Sequence, residues 1–179
     1  MIAGLSIEFI APNGEVGQGV LERLSVAFER TGDELEDFGE LVFPKLTPVF
    51  EAEMAKQFQS EGSGPSGGWA PLSPDYEAWK SKHYPGNPIL EASGRMKAGL
   101  TDSSSPFATR AFSGNDFEFG TSGVEYASYH QLGTAAGLPA RPLFDFSTDF
   151  ERDLADAALD AAREAVQKSG LSEFAELTP

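Results

Sequence analysis

The sequence predicts an α+β fold: a small antiparallel sheet packed against several helices, with a long flexible Gly/Ser loop and a C-terminal helix. Three observations predict it. Strand-like alternation is short and confined to a few places, whereas helical periodicity occupies most of the chain. The predicted order β-α-α-loop-α-α-β-β-β-α groups strands with strands, where a doubly wound sheet would alternate them with helices. The chain has 179 residues, 40% of them apolar, which suits one core and one domain over 1–179.

Leu5, Ile7 and Phe9 alternate with Ser6 and Glu8, and Asn13-Gly14 ends this first predicted strand. Val16, Val20, Leu24 and Phe28 then recur every four residues, with Glu22, Arg23, Glu29 and Arg30 on the wet side of a predicted helix that stops near Gly32. Asp33 and Glu36 have capping-box spacing for the next helix. Pro44 and Pro48 are expected to bend or interrupt that helix, before Phe50, Met54 and Phe58 form its apolar stripe.

Residues 61–68, Glu-Gly-Ser-Gly-Pro-Ser-Gly-Gly, form the clearest break and are expected to be a mobile loop. Ser73-Pro74 is a helix start, with serine as N-cap and proline at the first helical position, and the helix runs to about Lys82. Tyr84-Pro85-Gly86-Asn87-Pro88 reads as a turn. Ile89, Leu90, Met96 and Leu100 suggest a short helix interrupted at Ser93-Gly94. Segments 107–112 and 116–121 read as a hairpin around Ser113-Gly114-Asn115. Tyr126 to Leu132 suits a short helix or an irregular turn, and Leu143, Phe144 and Phe146 a last strand. Thr148 and Glu151 open a final helix to about Lys168 with Phe150, Leu154, Ala158, Ala161 and Ala165 as its apolar stripe, and 171–179 reads as a loose tail.

Composition narrows the function. Twenty-eight acidic residues against thirteen basic ones give a net charge of −15, which opposes general binding to nucleic-acid phosphates. There is no cysteine, so disulfides, thiolate metal sites and a cysteine nucleophile are excluded. No apolar run is long enough to span a membrane. The first twenty residues carry no Lys or Arg, so a basic signal-peptide start is missing and synthesis in the cytoplasm is expected.

The tests for chemistry mostly fail. The Gly-rich segment lacks the Gly-Lys-Ser/Thr ending of a phosphate cradle. His130 has Ser128 near in sequence, but Ser128 sits in no Gly-x-Ser-x-Gly turn that would present a nucleophile. The two histidines, His83 and His130, show no metal-ligand spacing, so no metal and no cofactor are expected. Charge is uneven: Lys80, Lys82, Arg95, Lys97 and Arg110 face only Glu91 and Asp102 within 80–110, whereas Asp149, Asp153, Asp156 and Asp160 line the final helix. Those aspartates read most simply as a solvated face; a basic and an acidic surface on one chain also suit head-to-tail assembly.

The stretch from Trp69 to Leu143 carries an order of residues that resembles a known family. It runs Trp69-x-Pro71-Leu72-Ser73-x-x-Tyr76-x-x-x-Lys80, then Ile89-Leu90-x-x-Ser93-Gly94-x-Met96-x-x-x-Leu100, then Gly120, Tyr126-Ala127-x-x-His130-Gln131-x-Gly133, and Pro139-Ala140-Arg141-Pro142-Leu143. The pattern resembles the phage virion morphogenesis family, the Mu-type tail completion proteins of the head–tail neck. The resemblance implies a structural virion protein and no enzyme. It would assemble as a homo-oligomeric ring between the tail tube or terminator and the head connector, with DNA passing through the lumen without specific binding. A tail terminator, a head-side connector and an assembly chaperone absent from the mature virion are the alternatives. The long Gly/Ser loop and the acidic last helix depart from the family pattern. The residues themselves suggest interface roles. Trp69 and Tyr76 would anchor the end of the loop to the core, and Tyr126, His130 and Gln131 would hydrogen-bond across a contact. Arg141, held beside Pro142, suits either a bidentate carboxylate contact or an internal salt bridge.

Overall fold

A computed structural model describes residues 38–62, 64–113 and 116–169. The elements are α1 (Phe38–Ser60), α2 (Pro74–His83), α3 (Arg95–Thr101), β1 (Ala108–Ser113), β2 (Asp116–Thr121), α4 (Tyr126–Leu132) and α5 (Thr148–Ser169). The two strands pair as an antiparallel sheet, and the fold is α+β. The predicted strand at 5–10, the helix over 16–30, the Asp33 cap and the tail at 171–179 lie outside the described residues. The chain forms two compact units. Among the described residues, one holds 38–50, Arg110–Glu118 and 148–169; the other holds Glu51–Thr109 and Phe119–Ser147.

Helix α1 runs unbroken through Pro44 and Pro48, against the expected interruption. Its buried residues Val42, Leu46, Phe50, Met54 and Phe58 repeat every four positions. Both prolines fall on the exposed side, so the carbonyls that lose an N–H partner there are on the wet face. A mid-helix proline costs about 3 kcal/mol, whereas each fully buried large apolar side chain contributes roughly 1.5–3 kcal/mol. Five such side chains outweigh two prolines.

In the first unit the core is aromatic. Phe43 stacks on Phe117 with ring centroids 5.2 Å apart, and Phe50 meets Phe150 edge-on at 5.2 Å. Helix α5 buries Phe150, Leu154, Ala158 and Ala161, the predicted stripe as far as the side chains are described. Lys45 and Glu164 form an ion pair.

The core of the second unit gathers Met54, Phe58, Trp69, Met96, Leu100, Val124 and Leu143. Helix α1 ends in a Schellman motif: Gly62 N–H donates to Gln57 O at 2.9 Å and Glu61 N–H to Phe58 O at 3.4 Å. Glu61 takes the left-handed position, φ 52°, that glycine usually fills; its carboxylate accepts from Ile89 N–H at 2.6 Å. The 61–68 segment makes further contacts, with Trp69 N–H donating to Glu61 O and Ser66 N–H to the Asp145 carboxylate at 2.8 Å. Helix α2 begins at Pro74 as predicted, but the Ser73 side chain makes no cap hydrogen bond. The Tyr84–Asn87 turn closes with Asn87 N–H on Tyr84 O, and Gly86 supplies its positive φ. Ser93-Gly94 proves to be a helix boundary: Gly94, φ 75°, is the N-cap of α3. Within α3, Gly99 lets the helix approach the start of the hairpin, since a Cβ there would lie 2.6 Å from Phe107 O.

The predicted last strand at 143–146 is not a strand. Side chains take up its backbone groups instead. Leu143 N–H and Phe144 N–H donate to Gln131 Oε1 at 2.7 and 3.0 Å. Gln57 Nε2 donates to Asp145 O at 2.9 Å, and Trp69 Nε1 to Pro142 O at 2.8 Å. Leu143 is buried and Phe144 and Phe146 are half-buried, and amides and an indole hold the 142–145 backbone where a neighbouring strand was expected.

Candidate functional site

Helix α2 is turned inside out relative to an ordinary amphipathic helix. Its one buried residue is Lys80, whose ammonium donates to Asn87 O at 2.7 Å and also to Pro88 O. Desolvation lowers the Lys80 pKa, opposed by Glu61 and Glu91. Three lysine donors match the adjacent carbonyls of the turn that follows the helix, which explains why a charge is the residue drawn inward. The aromatics face out: Tyr76 and Trp79 are 43% and 44% exposed. They stack at 5.4 Å, and Trp79 stacks on His83 at 4.4 Å. Tyr76, Trp79 and His83 share one face at i, i+3 and i+7.

This face forms one wall of a cleft of about 720 Å³ within the second unit. Tyr126 and His130 of α4 and the 137–141 segment line it too. Helix α4 buries none of its residues, and Tyr129 and Leu132 are more than half exposed. The cleft floor holds the cations of Lys80 and Arg141, and none of its lining residues is Asp or Glu. In a chain of net charge −15, that leaves an aromatic depression with two buried cations and no lining carboxylate.

Arg141 is 3% exposed and clamps the elbow before α2: Nε donates to Ala70 O at 2.7 Å and Nη2 to Pro71 O at 2.9 Å. Its own N–H donates to His130 O at 2.6 Å. Its partners are backbone carbonyls, so the internal salt bridge is not formed among the described residues. Burial lowers its pKa, partly offset by Tyr76. His130 packs edge-on to Tyr126 at 6.2 Å. Its Nδ1 is buried with no hydrogen-bond partner. Burial first, and then the Arg141 charge, holds its pKa below the ordinary histidine value. Ser128 Oγ donates to Glu125 O at 2.9 Å, so the hydroxyl nearest in sequence is engaged with the backbone.

Of the six residues singled out from sequence, Tyr76, Tyr126, His130 and Arg141 meet at the cleft. Trp69 sits in the core, edge-on to Phe58 at 5.5 Å, and Gln131 holds the 143–144 backbone. Trp79 was not anticipated. Its signal is in the sequence: a Tyr-x-x-Trp-x-x-x-His face in a helix with no aliphatic stripe to compete for the core. Among the described residues, no group of three or more His, Cys, Asp or Glu side chains is placed to hold a metal ion, and no helix is long and apolar enough to cross a membrane.

Exposed Tyr and Trp around a cleft with buried cations have the composition of a protein–protein contact surface. The model of the phage virion morphogenesis family matches residues 20–162, and the chain belongs to that family. Its role lies in building the phage virion. Compared with curated proteins and with solved structures, the chain gave no match.

Proposed function

We propose that this protein is a structural component of the head–tail neck, completing the tail end and joining it to the head connector as an oligomeric ring. Family membership supports the virion role. The observation that carries the reading further is the aromatic cleft: α2 spends its exposed surface on Tyr76 and Trp79 and buries a lysine to do so. Exposed aromatics at this density favour binding to protein, and the overall charge of −15 disfavours adhesion to DNA passing nearby. The acidic surface would let the genome slide through a lumen without being held. Partners on either side are the tail tube or terminator and the head connector.

Reconstruction of the neck of intact particles by electron microscopy, with a tag on this chain, tests the reading. Density for the chain in a ring between tail tube and connector is the expected result. A tag found on the head side, or at the tube end without connector contact, would move the protein to another layer. Its absence from purified particles would make it an assembly factor and end the neck reading.

A further inference from the structure

We infer that the cleft of one copy receives the exposed face of α5 from a second copy, with Leu159 entering between the aromatics and Asp156 lying over the buried cations. The inference rests on the oligomer of the proposed function and specifies its contact.

The two surfaces complement each other. On α5, Asp156, Leu159, Asp160 and Arg163 fall at i, i+3, i+4 and i+7 and so share a face. All four are exposed, and Leu159, at 37%, is the large apolar residue left in water among the described side chains of this helix. Asp160 is paired with Arg163 at 3.1 Å. Asp156 makes no ion pair among the described residues. The cleft has the opposite character. It offers Tyr76, Trp79 and Tyr126 for a branched apolar side chain. It carries Lys80 and Arg141 without a single lining carboxylate, and Arg141 meets backbone carbonyls only. Glu61 and Glu91 act on Lys80 from outside the lining, whereas Arg141 meets no carboxylate among the described residues, and its charge favours an acidic partner. Like charges along α5 are relieved by the same contact. Because the two surfaces differ, the contact is heterologous, the kind that propagates into a ring when the rotation closes.

A mixing experiment tests this. Trp79→Asp spoils the cleft and Leu159→Asp spoils the helix face; both positions are exposed, and circular dichroism checks that each variant folds. The wild-type chain is expected to self-associate in sedimentation velocity. Each variant alone should be monomeric, with association weakened at least tenfold, and an equimolar mixture should give a heterodimer through the one intact cleft and the one intact face. As a second measurement, the cysteine-free chain permits Tyr76→Cys with Leu159→Cys, which should form a ladder of disulfide-linked multimers on oxidation.

A wild-type chain that stays monomeric at all concentrations, with no ladder, overturns the inference. So does a mixture that stays monomeric, because one intact cleft and one intact face then fail to pair. If Trp79→Asp blocks assembly while Leu159→Asp does not, the cleft takes another occupant. If neither matters, the cleft is not the contact between copies. Each of these failures leaves the particle reconstruction free to support the neck assignment, and loss of that assignment leaves the mixing result readable.

Discussion

His130 shows how one side chain ties packing to pH. Its Nδ1 is buried without a partner, and Arg141 faces it while Tyr126 covers it edge-on. Both burial and the neighbouring cation disfavour the protonated ring. The folded pKa is therefore below the unfolded one, and on acidification the unfolded chain takes up this proton first. Stability is lost as pH falls through the unfolded value toward the folded one. The variant His130→Gln should lose less stability than wild type between about pH 7.5 and about pH 5, measured as the change in urea midpoint. An identical pH dependence in the two proteins would show that His130 does not carry the effect. The sequence marked His130 and Arg141 as neighbours in purpose, and the structure makes them neighbours in space through the Arg141 N–H to His130 O bond. It did not reveal that the Arg141 guanidinium would spend its donors on Ala70 and Pro71, because a backbone carbonyl has no residue code.

Elements were legible where side-chain periodicity alone decides them. The Phe50-Met54-Phe58 stripe, the hairpin, the Gly94 break and the last helix all follow from apolar spacing and turn chemistry. The two errors share a cause: backbone hydrogen bonding is invisible in the sequence. Pro48 was expected to end or bend α1, yet its missing N–H lies on the exposed side. Pro48→Ala should restore that bond and raise stability by about 2 kcal/mol, a helix gain reduced by the greater freedom alanine gives the unfolded chain. A drop in the thermal midpoint would mean that the proline is needed for the shape of the helix. The 143–146 segment reads as a strand but is fastened by Gln131. Gln131→Ala leaves two amides without acceptors, at a cost of about 2 kcal/mol, and hydrogen exchange at Leu143 and Phe144 should accelerate. Unchanged exchange at those two amides would refute this role for Gln131.

At the scale of the molecule, the imbalance of charge is the dominant feature. A net charge of −15 repels itself in the compact state, and salt screens that repulsion over about 10 Å at 0.1 M. The isolated chain should therefore become more stable as sodium chloride rises from about 20 to about 300 mM, seen as a higher thermal midpoint. A falling midpoint would mean that ion pairs such as Lys45–Glu164 outweigh the repulsion. The division into two units, each sharing α1 and the hairpin by residue, was not legible, since contiguous reading cannot see a unit assembled from separated segments.

Fastening 142–145 with glutamine amides and an indole has a further consequence. An unzipped strand edge is a template on which further chains accrete without limit. Here Gln131, Gln57 and Trp69 occupy the places such a chain would use. The stretch is thus closed to runaway polymerisation, and association is left to side-chain shapes that can be counted and sealed.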